Sequence, residues 1–294
     1  MSLTTLGSAS TQNFDTLANT GTSSTLPTGW FFAESGANAN ATYTAGTGSG
    51  TAGDTYSFGA AASTDRALGG LQSGSLIPTI GACFTNNSGN TITSLDVAYT
   101  GEQWRLGTVA RVDQLDFQYS LDAASLTTGT WTDVNALDFL APNQVAPTGA
   151  KDGNAAGNRT ALSNSIASLT IANGATVWIR WNDLNATSSD DGLSVDDFSL
   201  TPQGAGPVIP ALSINNVSVT EGNAGTINAQ FSVTLSAPAG AGGVSFDIAT
   251  ADNTATVVGN DYVLNSLNGQ TIASGSSGPF LFNVTVNGDA TVEP

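Results

Sequence analysis

Apolar and polar residues alternate with a period of two along much of this chain. In "SLDVAYT", residues 94–100, Leu95, Val97 and Tyr99 fall on one parity, and in "LDFQYSL", residues 115–121, Leu115, Phe117, Tyr119 and Leu121 do the same. This is the pattern of half-buried strands, whose successive side chains point to opposite faces. "SLTIANGATVWIRWND" predicts two strands joined as a hairpin at Asn173-Gly174, a pair that favours the turn type hairpins need. "IGACFTN" reads as an apolar strand that buries Cys83 as an inert thiol. No helical stripe of useful length competes.

The strand signals are interrupted at "TPQGAGPVIPALS", residues 201–213, where three prolines and two glycines make a short, semi-rigid linker. The predicted fold class is therefore all-β. A jelly-roll-type antiparallel sandwich covers residues 1–203, a linker covers 204–211, and an immunoglobulin-like sandwich of about six strands covers 212–294. Its candidate strands are "LSINNVSVTEG", "NAQFSVTLSAP", "GVSFDIATA" and "PFLFNVTVNGD".

Composition narrows the chemistry. The 294 residues hold 23 acidic side chains against six Lys and Arg, for a net charge of −17, and no histidine. The acidic surface repels phosphate backbones and anionic lipid, so no nucleic-acid grip is expected. Without histidine, the usual zinc ligands, the Ser-His-Asp triad and the commonest general base near neutral pH are missing. Converging carboxylates favour a hard cation, and Ca²⁺ is the expected cofactor, in a structural role. No apolar run is long enough for a transmembrane helix. The start, "MSLTTLGSASTQNFDTL", lacks the basic region and apolar core of a signal peptide. Low lysine, abundant Thr and Asn and the acidic charge nevertheless suit an extracellular or cell-surface protein whose leader has been removed.

The segments "VSVTEG", "FSVTLSAP", "TADNTATVVGNDY" and "VTVNGDATVEP", spread in order over residues 211–294, resemble the Calx-beta family of calcium-associated modules. The resemblance implies a Ca²⁺ site at one end of the sandwich, with Glu221, Asp261, Asp289 and Glu293 as ligands. Gly288 departs from it, standing where calcium-binding members carry a carboxylate. The match stops before the family's final strand. That leaves an unpaired edge, to be closed by a continuation of the natural chain or by a strand from another copy in self-association. The first region, through "FDTLANT", "LPTGW", "GEQWR", "FQYSLDAASL", "TWTDV" and "DDGLSVDDFSL", resembles β-sandwich modules near the start of secreted bacterial multidomain proteins, extracellular nucleases among them.

Two stretches of the first region carry candidate chemistry. In "GEQWRLG", Glu102, Trp104 and Arg105 form either a ligand platform, with the indole stacked on a sugar face, or a packed Trp with a Glu–Arg ion pair at its edge. Trp30, Trp131, Trp178 and Trp181 present the same choice, and Trp178 and Trp181 lie on opposite faces of one strand. "SLDAASLTTGTW" is similar, with stretched spacing, to the Asp-box turn of sialidases and reads as a structural hairpin. Glu34 and Glu102 are the glutamates before residue 200, and the aspartates sit mostly in turns, so catalysis by a carboxylate pair is not expected of these residues.

The second stretch, "SSDDGLSVDDFSL", puts four aspartates into residues 190–197. "SSDDG" is a turn. Leu193 and Val195 then fall on one parity and Phe198 and Leu200 on the other, which marks a β-bulge at Asp196-Asp197. The last strand of a jelly roll commonly lies near the first, which would bring Asp196 or Asp197 toward Asp15 with Ca²⁺ bridging them. The alternative is a bulge aspartate bonded to backbone or to an arginine such as Arg180.

Together these features predict a non-catalytic extracellular binding or structural region that holds a glycan or cell-surface polymer and is stabilised by calcium. The alternatives are accessory domains of a secreted hydrolase, nuclease- or phosphodiesterase-like, with its catalytic domain elsewhere, or a self-assembling surface-layer or fibre subunit.

Overall fold

A computed structural model of the chain describes residues 1–204, 209–240 and 242–290. Residues 205–208 of the proposed linker and Glu293 lie outside the described residues. Strand accounts for 46% and helix for 1%, so the fold is all-β, as the period-two pattern requires. The chain divides into two compact units, Met1–Gly206 and Pro207–Pro294, at the Pro/Gly stretch. Among the described residues no helix is long and apolar enough to cross a membrane.

The first unit is a sandwich of a seven-stranded and a nine-stranded sheet. Its long strands alternate between them. Ile77–Asn86, Gln114–Ser120 and Thr176–Asp183 lie in the first, while Ser94–Leu106, Arg159–Ile166 and Gly192–Gln203 lie in the second. Each crossing carries the chain over the core, as in jelly-roll wiring. The inward parity of the long strands feeds one apolar cluster that includes Trp30, Phe84, Phe117, Trp181 and Phe198. Trp181 is at its centre, meeting Tyr99 and Phe117 edge-on with centroids 5.1 Å away in each case. Truncating such a side chain to Ala typically costs about 3–5 kcal/mol.

The bulge in the last strand is present. Asp196 pairs with Thr100 and Ser199 with Ala98, so two residues, Asp197 and Phe198, oppose Tyr99 alone. Asp197 takes φ +49°, and the slip lets Leu193, Val195, Phe198 and Leu200 all reach the same core.

Two expectations are corrected. Asn173-Gly174 does form a turn, with Gly174 at φ +86°, but not a hairpin. Ile171 makes an isolated bridge to Ile92, while Thr176–Asp183 pairs with Ile77–Asn86 in the opposite sheet. Both flanks are apolar because each reaches the sandwich interior, and a core-crossing turn satisfies that pattern as well as a hairpin does. Cys83 is half-buried rather than buried, because it faces the outer side of its sheet, and burial raises its thiol pKa.

The second unit pairs a three-stranded sheet, Leu212–Ile214, Thr226–Leu235 and Phe280–Asn287, with a two-stranded one, Val244–Ala249 and Ser266–Ile272. Two differences from the sequence reading stand out. "VSVTEG" is not a strand, although Val217 and Val219 still pack on the core of Ala229, Tyr262, Phe282 and Val284. Ser266–Ile272 is a strand despite its weak alternation and its glycine at 269, because the paired strand Val244–Ala249 supplies backbone partners that a local pattern does not reveal.

Candidate functional site

The Glu102–Trp104–Arg105 platform is not open to a ligand. Trp104 is 2% exposed, and its ring lies parallel to Phe58 in a small cluster with Tyr56 and Leu71. Its Nε1 donates to Glu102 Oε2 at 2.8 Å. Arg105 turns elsewhere, donating to the Gly48 carbonyl at 3.1 Å, so the expected Glu–Arg pair is replaced by a Trp–Glu bond and a loop clamp. The cause is a second bulge. Gly192 pairs with Arg105 and Leu193 with Gln103, leaving Trp104 as the extra residue. Burial drives the Glu102 carboxyl up to about 7, against the lowering effect of the Trp104 bond.

Instead, the outward face of the seven-stranded sheet gathers aromatic and polar side chains. Cross-strand pairs share a face, and the register sets out two outward rows. Gln118, Arg180, Gly81 and Phe31 form one; Asp116, Asn182, Thr79 and Ala33 form the next. Gln118 Oε1 accepts from Arg180 Nε at 2.7 Å and from Asn182 Nδ2 at 2.9 Å, and Thr79 Oγ1 donates to Asn182 Oδ1 at 3.1 Å. The guanidinium of Arg180 lies 4.0 Å over the Trp131 ring, a cation–π contact. Phe31 is 42% exposed and packs on Trp178. The two tryptophans of the Thr176–Asp183 strand thus divide as their spacing requires, with Trp181 in the core and Trp178 on the outer side.

Part of this face is roofed by the loop 121–131, the stretch similar to an Asp-box. Asp122 Oδ1 accepts the Thr130 N–H at 2.7 Å and the Ser120 hydroxyl at 2.8 Å, clasping the loop's two ends. Ala123 and Leu126 then pack on Trp178. The seat depends on Gly81, where a Cβ would lie 2.7 Å from the Leu126 side chain and 2.1 Å from the Ile179 carbonyl. The remaining rows, half-buried and polar, stay open beside the loop. Asp116 sits among them with its carboxyl raised to about 6, first by burial and then by the charges of Asp138 and Asp133.

The proposed calcium ligands are placed as follows. The first strand, Ser2–Leu3, pairs with Ile77–Asn86 in the other sheet, and it is the second, Ser10–Gln12, that pairs with Phe198–Leu200 beside the bulge. Asp15 is exposed and accepts from Asn13 Nδ2 at 2.6 Å. Asp196 is buried, and its Oδ1 accepts the Asp197 N–H at 2.7 Å. Burial, with Glu102 and Asp197 nearby, raises its carboxyl to about 8. Arg180 lies in the other sheet, so of the weighed alternatives the backbone bond is the one made. In the second unit, Glu221 and Asp261 line one apolar cavity of about 490 Å³. Asp261 Oδ2 accepts the Thr256 N–H at 2.6 Å, and Asp289 is half-buried. At position 288 a Cβ would lie 2.1 Å from the Gly222 carbonyl, which explains the glycine there. Among the described residues no three Asp, Glu, Cys or His side chains are grouped so as to hold a metal ion.

No protein-family model matches the chain, and no curated protein matches it in sequence.

Proposed function

We propose that the first unit is a non-catalytic binding module of a secreted or surface bacterial protein, and that it takes a neutral glycan across the outward face of its seven-stranded sheet. The observation that carries this reading is the bonded trio of Gln118, Arg180 and Asn182, spanning two adjacent rows and flanked by Trp131 and Phe31. Sugars offer apolar C–H faces to aromatic rings and paired hydroxyls to planar amide and guanidinium groups, which is what this face presents. The side chains are already tied to one another, so little ordering is needed on binding. Asp116 and Asp133 bear on Arg180, and Asp138 bears on Asp116, a field that opposes acidic polymers and favours uncharged ones.

Glycan-array screening of the intact chain, followed by calorimetry on the hits, tests the reading. Neutral oligosaccharides are expected to bind, with Arg180→Ala and Asn182→Ala abolishing the signal and Arg105→Ala leaving it unchanged. Binding that survives both sheet-face variants, or no binding at millimolar glycan, removes the proposal.

A further inference from the structure

Asp183 ends the strand Thr176–Asp183, and its pairing with core residue Leu115 turns its side chain toward the sandwich interior. Only 4% of it is exposed. Three more buried aspartates approach it from the ends of other strands. Asp113 precedes Gln114–Ser120, and Asp190 and Asp191 precede Gly192–Gln203. All three charges bear on Asp183. The nearby cation is Arg111, with Nη1 3.1 Å from Asp113 and Nη2 3.6 Å from Asp191. Four buried carboxylates against one guanidinium leave negative charge that the interior disfavours unless something offsets it.

Most of the oxygens are already used. Asp113 Oδ2 accepts the Asp191 N–H at 2.6 Å, Asp191 accepts from Gly107 N and Gln103 Nε2 at 2.7 Å each, and Asp190 Oδ1 accepts the Ala186 N–H at 2.8 Å. Two buried oxygens are without a partner among the described residues. Asp183 Oδ1 and Gln72 Oε1 are buried and have no hydrogen-bond donor. They belong to one place, because the Gln72 N–H donates to Asp183 Oδ2 at 3.1 Å. Gln72 also lies one step beyond the Leu71–Gly192 pair, opposite Asp191. Arg111 does not serve them, since its ion pairs go to Asp113 and Asp191 and its Nε and Nη1 make no hydrogen bond. Orphaned acceptors beside excess negative charge call for a cation.

We propose that this cluster is a structural Ca²⁺ site, with Asp183 Oδ1 and Gln72 Oε1 as ligands and Asp113, Asp190 and Asp191 supplying the surrounding charge. Because among the described residues no three acidic side chains form a metal-holding group by themselves, neutral oxygens and water complete the shell. Ca²⁺ accepts this, taking about six to eight oxygen ligands in flexible geometry, whereas Mg²⁺ demands a stricter octahedron. Asp183 comes from the seven-stranded sheet and Gln72 follows a strand of the nine-stranded one, so the ion fastens the two sheets at one end of the sandwich.

All five tryptophans, at positions 30, 104, 131, 178 and 181, lie in the first unit, so indole fluorescence of the intact chain reports on that unit alone. After EDTA treatment, added Ca²⁺ is expected to raise the indole-reported melting midpoint by roughly 5–10 °C at a hundredfold excess over Kd. Asp183→Asn, nearly the same shape, and Gln72→Leu should each lose that rise, while Asp15→Asn and Asp261→Asn keep it. No Ca²⁺ shift in the unaltered chain overturns the site and leaves a proton on Asp183 as what offsets the charge. A shift retained in both Asp183→Asn and Gln72→Leu overturns it as well, by placing the ion elsewhere.

Discussion

The indole N–H of Trp104 donates to the carboxylate of Glu102, two residues away on the same strand, and both side chains are buried. Burial holds the Glu102 carboxyl at about 7, above its ordinary 4.5. The unfolded chain therefore releases this proton near pH 4.5, while the folded chain keeps it to about 7. The stability contributed by the proton is complete below the lower value and is lost as pH rises through the upper one. Glu102→Gln stays neutral and keeps the acceptor for Trp104. It is expected to flatten the decline between those pH values and to raise stability above pH 7 by on the order of 1–3 kcal/mol. Urea titrations across that range measure it, and parallel curves for the two proteins would refute it.

Asp197 is the inserted residue of the bulge, at φ +49°. Deleting it leaves Phe198 alone opposite Tyr99 and keeps Leu193, Val195, Phe198 and Leu200 on the core face by plain alternation. The deletion variant is therefore expected to keep a cooperative melt, whereas a further residue inserted after Asp197, with the bulge unchanged, turns Phe198 and Leu200 outward and should abolish it. Asp197→Gly, which suits the same backbone, should stay within about 1 kcal/mol of the parent. An insertion variant that melts cooperatively near the parent's midpoint would show that the register is not locked there.

Asp122 ties Thr130 to Ser120 across the loop that roofs Trp178. Asp122→Ala should open this loop without unfolding the sandwich, giving several-fold faster chymotryptic cleavage at Leu126 and a red-shifted indole emission. Unchanged cleavage rates would mean that the packing of Leu126 alone holds the loop.

The two units each have their own apolar clusters. A fragment ending at residue 206 is expected to show the same indole-reported midpoint as the intact chain, within about 2 °C. A larger fall would mean that the second unit stabilises the first.

Much of this arrangement was legible beforehand. The alternation in "SLDVAYT" and "LDFQYSL" marked strands because one side of each must be buried, and the parity break between Val195 and Phe198 marked the bulge because both pairs are apolar. Asn173-Gly174 was misread, and Trp104 was left undecided between a platform and a packed side chain, for a related reason. A bulge opposite Gly192 buries the indole that simple alternation left open, and a turn joining two sheets has the same local residues as one joining two paired strands. The trio of Gln118, Arg180 and Asn182 had a faint signal, namely polar residues on the outward parity of two apolar strands, but nothing to say that the strands were neighbours.

Sequence alone determined that the chain is all-β, where it divides and where the last long strand of the first unit changes phase, because burial, turn chemistry and parity act over a few residues. Only the tertiary structure decided which carboxylates meet. Asp113, Asp183, Asp190 and Asp191 share one buried corner because the ends of strands from both sheets converge there, a consequence of long-range pairing that no local pattern encodes.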